Sequence, residues 1–255
     1  MVELQDHLED FENNGIWICA ISYDPVQVLG EFAKKFGIAY SLLADVDSAV
    51  IRLFDILNTH IPENHPWYGV PFPGTFMVDE QGLVVDKSFY ANHGVRDSVA
   101  RMLQENFQVR DVNRDVLQTV ETNPVKTSAR LSSKTVRPGQ VITFTIEIEI
   151  EDGCYMHARS LSQGYIPTTL TFQEVEDVHF GEVVYPEPGL RHLEVLGETL
   201  HIYAGRIELK VAVRNRGKQS FVLRAHLQYQ VCDEVHCHLP AEIDFELQVE
   251  CLENI

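Results

Sequence analysis

The chain has 255 residues, of which 45% are hydrophobic and 23% are charged, and its formal net charge is −18 at pH 7. This composition is ordinary for a globular protein that is long enough to bury one large core or two separate ones. The acidic excess, without any cluster of Lys or Arg, argues against nucleic acid and anionic membranes as partners. No apolar run approaches the ~20 residues needed to span a bilayer, so we predict no membrane span.

The first part of the chain alternates helix-like and strand-like segments. Apolar residues at helical spacing predict a helix over residues 2–13. The solid apolar run 16–22 predicts a strand buried on both faces of a parallel sheet, with Cys19 as an inert core thiol. Further predicted elements are a helix over 24–36, a strand over 40–43, a helix over 47–57, a loop over 60–72, a hairpin over 75–87 and a helix over 95–107. This order predicts an α/β domain over residues 1–109.

The pattern changes in the second half of the chain. Residues 108–140 are polar and contain proline breakers, so we place the domain boundary here, with a linker over 110–125. Residues 141–150 then alternate strictly between apolar and polar. Similar runs follow, without helices between them, at 200–203, 207–213, 221–229 and 243–249. Strands at this spacing predict an all-β sandwich of immunoglobulin-like type over residues 126–255.

Two of the five cysteines, Cys232 and Cys237, are separated by only four residues, between two strand-like runs. A disulfide that closes so short a loop would stabilise the fold little. An accessible pair is therefore better explained by thiol–disulfide exchange, in which a thiolate attacks one sulfur. Two alternatives remain open: a structural staple, and a metal site built from Cys232, His236, Cys237 and His238. We expect no metal and no cofactor, because the spacing differs from that of a zinc knuckle.

Three stretches of the first domain, residues 15–24, 32–45 and 73–82, resemble redoxins, the peroxiredoxin-like proteins of the AhpC/TSA superfamily. The resemblance implies a thioredoxin-like fold that lacks its first strands, and a function in antioxidant defence or cell redox homeostasis. Redoxins carry a reactive cysteine or selenocysteine at the start of their first major helix, where the helix lowers the thiol pKa. The resemblance implies that residues 2–13 are the remainder of that helix and that the motif before it is missing from this sequence.

The same resemblance assigns a role to the segment that begins at Phe72. It implies a cis peptide bond before Pro73, with Pro73 and Thr75 facing the reactive thiol of a complete redoxin. An ordinary trans turn is the alternative. Peroxiredoxins usually have an arginine near this strand to bind peroxide, but no arginine lies between Arg52 and Arg96. Peroxidase chemistry is therefore less expected than thiol–disulfide exchange.

Residues 126–250 resemble the N-terminal domain of DsbD, a periplasmic carrier that passes electrons by thiol–disulfide exchange. The resemblance rests on the run 229–240 around the two cysteines and on residues 152–157. It implies that Cys232 and Cys237 are the catalytic pair. The loop between the cysteines is one residue shorter than in DsbD.

The DsbD resemblance also implies surroundings for the pair. It places Tyr155 and His157 beside the cysteines, where they would set thiol reactivity, although plain strand packing is the alternative for both. It further implies that the loop 193–197 caps the cysteines until a partner docks. This chain has Val195 and Leu196 where DsbD has aromatic residues in the cap.

Together the two resemblances imply a thiol–disulfide oxidoreductase. Cys232 and Cys237 would relay electrons between the redoxin centre and an outside partner, such as a thioredoxin-like or DsbD-like reductase. The alternatives are a non-catalytic binding or scaffold protein with a structural disulfide, and a peroxidase of the peroxiredoxin type. No signal peptide is visible after Met1, yet the exchange chemistry and the resemblance favour the periplasm or cell envelope over the cytoplasm.

Overall fold

The computed structural model describes residues 1–90, 92, 94–109, 116–159, 165–193 and 197–253. The chain divides into two compact units, Met1–Val109 and Arg110–Ile255. The first unit mixes helices with short strands, and the second is built of strands. The prediction of two domains, of which the second is rich in β-structure, is therefore confirmed. Within the described residues, no helix is long and apolar enough to cross a membrane.

The first unit contains two small sheets and a set of short helices. In chain order its elements are α1 (Val2–Asp6), α2 (Leu8–Asn13), β1 (Cys19–Ser22), α3 (Val26–Phe36), β2 (Ser41–Ala44), α4 (Ala49–Leu53), β3 (Gly74–Val78), β4 (Val84–Phe89), β5 (Arg96–Asp97) and α5 (Val99–Phe107). Strands β1 and β2 pair in parallel, and β3 and β4 pair antiparallel. The helix predicted over 2–13 is divided at His7, where the backbone leaves helical geometry between α1 and α2.

The prediction that the run 16–22 is a fully buried strand is wrong. Trp17 is 86% exposed, and Cys19, predicted as a core thiol, is exposed as well. Among the described residues, β1 pairs with β2 alone. A continuous apolar run indicates burial only where covering layers lie on both faces of the sheet, and this two-stranded sheet leaves β1 without them.

The peptide bond before Pro73 is a second correction. The cis X-Pro bond among the described residues precedes Pro124, and the bond between Phe72 and Pro73 is not cis. The Phe72 N–H donates a hydrogen bond of 2.7 Å to the Ile56 carbonyl. This turn is therefore held by ordinary backbone hydrogen bonding, and trans is the lower-energy isomer when nothing enforces cis.

The second unit consists of three sheets. Its strands are β6 (Val116–Thr122), β7 (Val125–Leu131), β8 (Thr135–Val136), β9 (Gln140–Ile150), β10 (Tyr155–His157), β11 (Thr169–Phe172), β12 (Val178–Phe180), β13 (Gly189–Leu193), β14 (Glu198–Tyr203), β15 (Arg206–Asn215), β16 (Phe221–Tyr229), β17 (Val231–Cys232) and β18 (Ala241–Cys251). The sheet orders are β12-β15-β9-β7-β6, β11-β16-β18-β8 and β13-β14-β10-β17.

Part of the predicted linker over 110–125 belongs to this β-structure. Strand β6 pairs antiparallel with β7, and the Thr119 and Ser128 hydroxyls lie 3.2 Å apart across the pair. Its polar residues suit a strand whose neighbour supplies the backbone hydrogen bonds. The polar composition of this segment was therefore misleading as evidence for a linker.

Buried side chains from the first two sheets form one hydrophobic core, because the strands alternate in the way the sequence predicts. Strands β15, β16 and β18 bury every second residue. Strand β9 is buried on both faces: Phe144 and Ile146 point into the core, while Glu147 on the other face contacts Arg130 at 2.9 Å and Arg206 at 2.6 Å. Apolar packing and paired charges thus cover the two faces of one strand.

The third sheet is smaller and carries the cysteine pair. Strand β10 lies between β14 and β17, with Tyr155 opposite Cys232 and His157 opposite Ile202. Tyr155 and Cys232, which are 77 positions apart in the sequence, therefore meet on neighbouring strands.

Candidate functional site

Cys232 and Cys237 form a disulfide. Cys232 ends β17 and is fully buried, whereas Cys237 is exposed on the loop that follows. The two residues also form an isolated antiparallel bridge, so they face each other across a tight turn. The two cysteines of one disulfide therefore differ in their exposure to solvent.

The turn between the cysteines is held by hydrogen bonds that do not involve sulfur. One carboxylate oxygen of Asp233 accepts hydrogen bonds from the backbone N–H groups of Val235 at 2.7 Å and His236 at 2.8 Å. These bonds, the one from His236 foremost, hold the pKa of the Asp233 carboxyl below its usual range. The His238 N–H donates to the Val231 carbonyl at 2.8 Å and closes the hairpin.

Tyr155 forms the apolar wall beside the buried cysteine. It packs with Leu200, Ile202 and Cys232 in a small cluster separate from the main core. The Arg191 guanidinium lies over the Tyr155 ring, 4.5 Å from its centroid, at the separation of a cation–π contact.

His157 is the polar neighbour of the disulfide. Its imidazole is fully buried, and Nε2 lies 3.3 Å from the Cys232 sulfur. The rings of Tyr155 and Tyr165 lie 5.8 and 4.7 Å from it. Burial lowers the pKa of His157, which favours the neutral imidazole. The other ring nitrogen, Nδ1, is buried and has no hydrogen-bond partner among the described residues.

Four more residues were predicted for the site. Val195 and Leu196 lie outside the described residues. Pro73 and Thr75 belong to the first unit, where Thr75 pairs with Ser88 in the β3–β4 hairpin. Of the predicted set, the structure thus brings together Cys232, Cys237, Tyr155 and His157.

Sequence reasoning missed several neighbours of the pair. Tyr165 contacts the His157 ring, and Arg191 lies over the Tyr155 ring and pairs with Glu234 of the cysteine loop at 3.6 Å. No local motif indicates these contacts. Val235 and Leu239 flank Cys237 and are 88% and 89% exposed. Two apolar residues beside the cysteine in a predicted loop were the available signal, because such side chains are expected in a surface that contacts another protein.

The structure also divides the metal ligands considered from the sequence into two groups. His157, Cys232 and Cys237 offer ligand atoms within 4.8 Å of one another. Asp233, His236 and His238 form a second group with the same spacing. The histidines that are adjacent to Cys237 in the sequence thus group with an aspartate, while the cysteines group with a histidine from β10.

Two family models match the chain. The model described as thiol:disulfide interchange protein DsbD, N-terminal, matches residues 121–248. The AhpC/TSA family model matches residues 1–87. None of the curated proteins matches this chain.

Several solved structures are similar to parts of the chain. The N-terminal periplasmic domain of ScsB from Proteus mirabilis is 15% identical over 54% of this chain and 50% of its own, with a TM-score of 0.36. The reduced DsbD N-terminal domain of Neisseria meningitidis is 20% identical over 42% of this chain and 77% of its own, with a TM-score of 0.30. The complex of the DsbD and PilB N-terminal domains from the same organism gives 18% identity, 41% and 73% coverage, and a TM-score of 0.30. The chain spans half the length of the ScsB structure that it matches.

The DsbD model covers 128 residues (121 to 248 inclusive), which is just over half of the 255. The sequence-based recognition of a redoxin segment followed by a DsbD-like domain is confirmed by the two matches. Both families have thiol–disulfide chemistry in common, which supports a role in thiol–disulfide exchange in general terms. Through residues 121–248, the chain belongs to the family of DsbD N-terminal domains, and residues 1–87 before it match the AhpC/TSA redoxins.

Proposed function

We propose that this protein is a thiol–disulfide oxidoreductase in which Cys232 and Cys237 are the catalytic pair. The observation that carries the proposal is the asymmetry of the disulfide: Cys237 is exposed, and Cys232 is buried beside an imidazole. A partner thiolate can reach one sulfur, and the other is placed as the leaving group. A purely structural staple needs neither feature.

The exchange proceeds in two steps that balance. A thiolate of a partner dithiol attacks the Cys237 sulfur, a mixed disulfide forms, and the Cys232–Cys237 bond breaks with its electron pair left on Cys232. The partner's second thiolate then attacks its own sulfur in the mixed disulfide and releases Cys237. The partner dithiol is oxidised to a disulfide, and the chain gains two electrons and, after protonation, two thiol protons. The reverse sequence delivers the same electrons to an oxidised partner.

His157 supports the departure of the Cys232 sulfur. With its proton on Nε2, the neutral imidazole donates a hydrogen bond across 3.3 Å to the thiolate that forms there. Tyr155 packs against Cys232 on its apolar side, and Arg191 over the Tyr155 ring pairs with Glu234 of the cysteine loop at 3.6 Å. A buried thiolate without such neighbours would be costly to form.

The surface around Cys237 favours a protein partner over a small thiol. Val235 and Leu239 expose apolar side chains on either side of the reactive sulfur, and His236 and His238 are exposed between them. We propose that a thioredoxin-like or DsbD-like dithiol protein docks here. Within residues 1–109 the one cysteine is Cys19, so a relay to the redoxin unit of the same chain would pass through that thiol or through one outside these residues.

We propose a thioredoxin-like fold for residues 1–109 and an immunoglobulin-like sandwich for the domain that begins with β6. The AhpC/TSA match supports the first assignment. The antiparallel sheets that share one core support the second. The periplasm or cell envelope is the proposed location, because disulfides form and persist in oxidising compartments and the DsbD family works by disulfide interchange.

A trap experiment tests the function. The oxidised protein is mixed with a thioredoxin whose resolving cysteine is replaced by serine, quenched with iodoacetamide and mapped by peptide mass spectrometry. We expect a mixed disulfide on Cys237 and an alkylated Cys232, because Cys237 is the exposed cysteine of the pair. The double variant Cys232→Ser/Cys237→Ser is the control and should give no adduct in this loop.

Two outcomes would count against the proposal. If no adduct forms and the disulfide survives about millimolar dithiothreitol, the pair is a structural staple and the scaffold alternative gains support. If the adduct maps to Cys232, exchange stands but the proposed order of attack is wrong. Peroxide consumption by the same protein would instead favour the peroxidase alternative.

A further inference from the structure

The disulfide has a neighbour that could change its chemistry once it is reduced. His157 Nε2 lies 3.3 Å from the Cys232 sulfur, and the ligand atoms of His157, Cys232 and Cys237 lie within 4.8 Å of one another. A metal ion bound at about 2.3 Å from sulfur and about 2.0–2.1 Å from imidazole nitrogen would fit among three atoms at this spacing. In the oxidised protein the sulfurs bond to each other, and the thiolates that bind metals do not exist.

We propose that reduction of the Cys232–Cys237 disulfide creates a site for a thiophilic d¹⁰ ion, Zn²⁺ or Cu⁺, held by the two thiolates and the His157 imidazole. Thiolate sulfur selects these ions, and imidazole suits both. Mg²⁺ and Ca²⁺ prefer oxygen ligands and would not compete. The oxidised protein has no such site, so the redox state of the pair decides whether metal binds.

Two features hold the ligand side chains in position in the metal-free protein. The imidazole is fully buried and contacts the Tyr155 and Tyr165 rings, with Nε2 3.3 Å from the Cys232 sulfur. The turn that carries Cys237 is fixed by the Asp233 carboxylate, whose hydrogen bonds to Val235 and His236 do not depend on the disulfide. The three ligands therefore stay close when the sulfur–sulfur bond is broken.

His157 also has an unmet hydrogen-bonding capacity. Its Nδ1 is buried without a partner among the described residues, while Nε2 has only the sulfur. Nε2 therefore makes no hydrogen bond to nitrogen or oxygen among the described residues, and binding a metal through it would replace only the contact with sulfur. The ring proton would then be on Nδ1.

The reaction balances without any change in the metal. Two electrons and two protons from a dithiol convert the disulfide into two thiols, and the dithiol becomes a disulfide. The metal ion then displaces the two thiol protons to solvent and keeps its oxidation state. Bound metal would occupy both thiolates, so metal and partner protein would compete for the same sulfurs.

The neighbouring group of Asp233, His236 and His238 is the rival site. It lies on the exposed loop, it contains no thiolate, and its aspartate already accepts hydrogen bonds from the loop backbone. Binding there would not depend on reduction. Reduction dependence and sulfur ligation therefore separate the two sites.

The test uses the full chain, reduced with a phosphine that is then removed under argon. Zn²⁺ is titrated against a chromophoric chelator, and Cu⁺ is titrated in a separate arm. We expect one ion per reduced chain and none in this site of the oxidised chain. His157→Gln should weaken binding at least about 100-fold. A residue that only supports a metal ligand, without binding the metal, costs at most about that much when it is lost. The matched control, His236→Ala/His238→Ala, should bind within a few-fold of the unchanged protein.

If His157→Gln does not fold, X-ray absorption spectroscopy of the zinc-loaded His236→Ala/His238→Ala variant identifies the metal ligands instead. We expect two sulfur ligands and one imidazole, which in this variant points to His157. Metal without sulfur ligands, equal binding by the oxidised chain, or loss of binding in the control variant would overturn the inference.

The inference rests on the proposed function only in requiring a reducible disulfide. A chain that is reduced and binds metal but forms no mixed disulfide with thioredoxin would refute the exchange role alone. A chain that exchanges disulfides but binds neither ion would refute the metal site alone.

Discussion

Strands β1 and β9 are both strongly apolar, yet the two units bury them to opposite extents. In β9, Phe144 and Ile146 are fully buried, because the strand lies between β7 and β15 in a sheet that packs on another sheet. In β1, Ile21 is 44% exposed and Cys19 is exposed. An apolar run in the sequence therefore indicates that a strand can be buried, while the number of layers packed around the strand determines whether it is.

The cores of the two units follow the same rule. In the first unit, the fully buried cluster consists of Phe11, Val99 and Leu103 from α2 and α5. In the second unit, one continuous cluster takes residues from strands of both larger sheets. Because hydrophobic stabilisation scales with the apolar area removed from water, we expect the second unit to be the more stable of the two.

Substitutions in the two strands should give the largest difference between the two units. Phe144→Ala should cost about 3–5 kcal/mol of unfolding free energy, since it leaves a cavity in a closely packed core. Ile21→Ala should cost about 1 kcal/mol or less, because much of that side chain is already in water. Urea unfolding of each variant, followed by circular dichroism and by tryptophan fluorescence, measures both.

The chain supplies a way to tell the units apart in this experiment. Its two tryptophans, Trp17 and Trp67, both lie in the first unit. Fluorescence therefore reports the first unit, while circular dichroism reports both. Equal costs for the two substitutions, or a fluorescence midpoint above the dichroism midpoint, would contradict the comparison.

Thiol labelling should give the next contrast. In the oxidised native protein, Cys19 should react with an aromatic disulfide reagent before Cys154, because Cys19 is exposed and Cys154 is partly buried. Burial also raises the pKa of the Cys154 thiol, which reduces its thiolate fraction at neutral pH. Time-resolved peptide mapping measures the order, with the unfolded protein as the control in which the two rates should converge. Slow labelling of Cys19 in the native state would restore the buried-strand prediction.

The smallest of these expected effects is the pH dependence of the stability of the first unit. The Asp45 carboxylate accepts hydrogen bonds from the backbone N–H groups of Ala49, Val50 and Ile51 at the start of α4. These bonds, that of Ile51 foremost, lower the pKa of Asp45 in the folded state. The stabilisation is therefore present above the ordinary aspartate pKa of about 3.9 and is lost as pH falls through the lowered value.

The Asp45→Asn variant tests this effect. Its fluorescence midpoint in urea should be lower than that of the unchanged protein at neutral pH, and the difference should shrink on acidification from about pH 5 to about pH 3. A difference that stays constant with pH would mean that the carboxylate charge does not contribute.

Much of the second unit could be predicted from the sequence, because strands covered on one face leave a period-two pattern. Strand β16 has the predicted bounds, and the ends of β15 and β18 lie within two residues of the predicted runs. Strand β6 was missed, because its polar residues carry no such pattern. The strand is held by its backbone pairing with β7.

The candidate site could be predicted only in part. The close spacing of Cys232 and Cys237 indicated a disulfide directly. The approach of His157 depends on the register of β10 against β17, which no local pattern encodes; its mention came from the resemblance alone. The contacts of Arg191 and Tyr165 depend on further pairings and were not foreseen. Catalytic roles for these residues stay predictions until the trap experiment is done.

The hydrogen bonds of the Asp233 turn have one more consequence. Because the Asp233 carboxylate and the bond from His238 to Val231 hold the hairpin without sulfur, we expect the oxidised and reduced chains to present nearly the same surface. If the pair relays electrons as proposed, the docking surface would then be the same in both redox states. The reduced and oxidised forms would then bind the docking partner equally well. The ratio of their concentrations, rather than a difference in affinity, would set the direction of electron transfer.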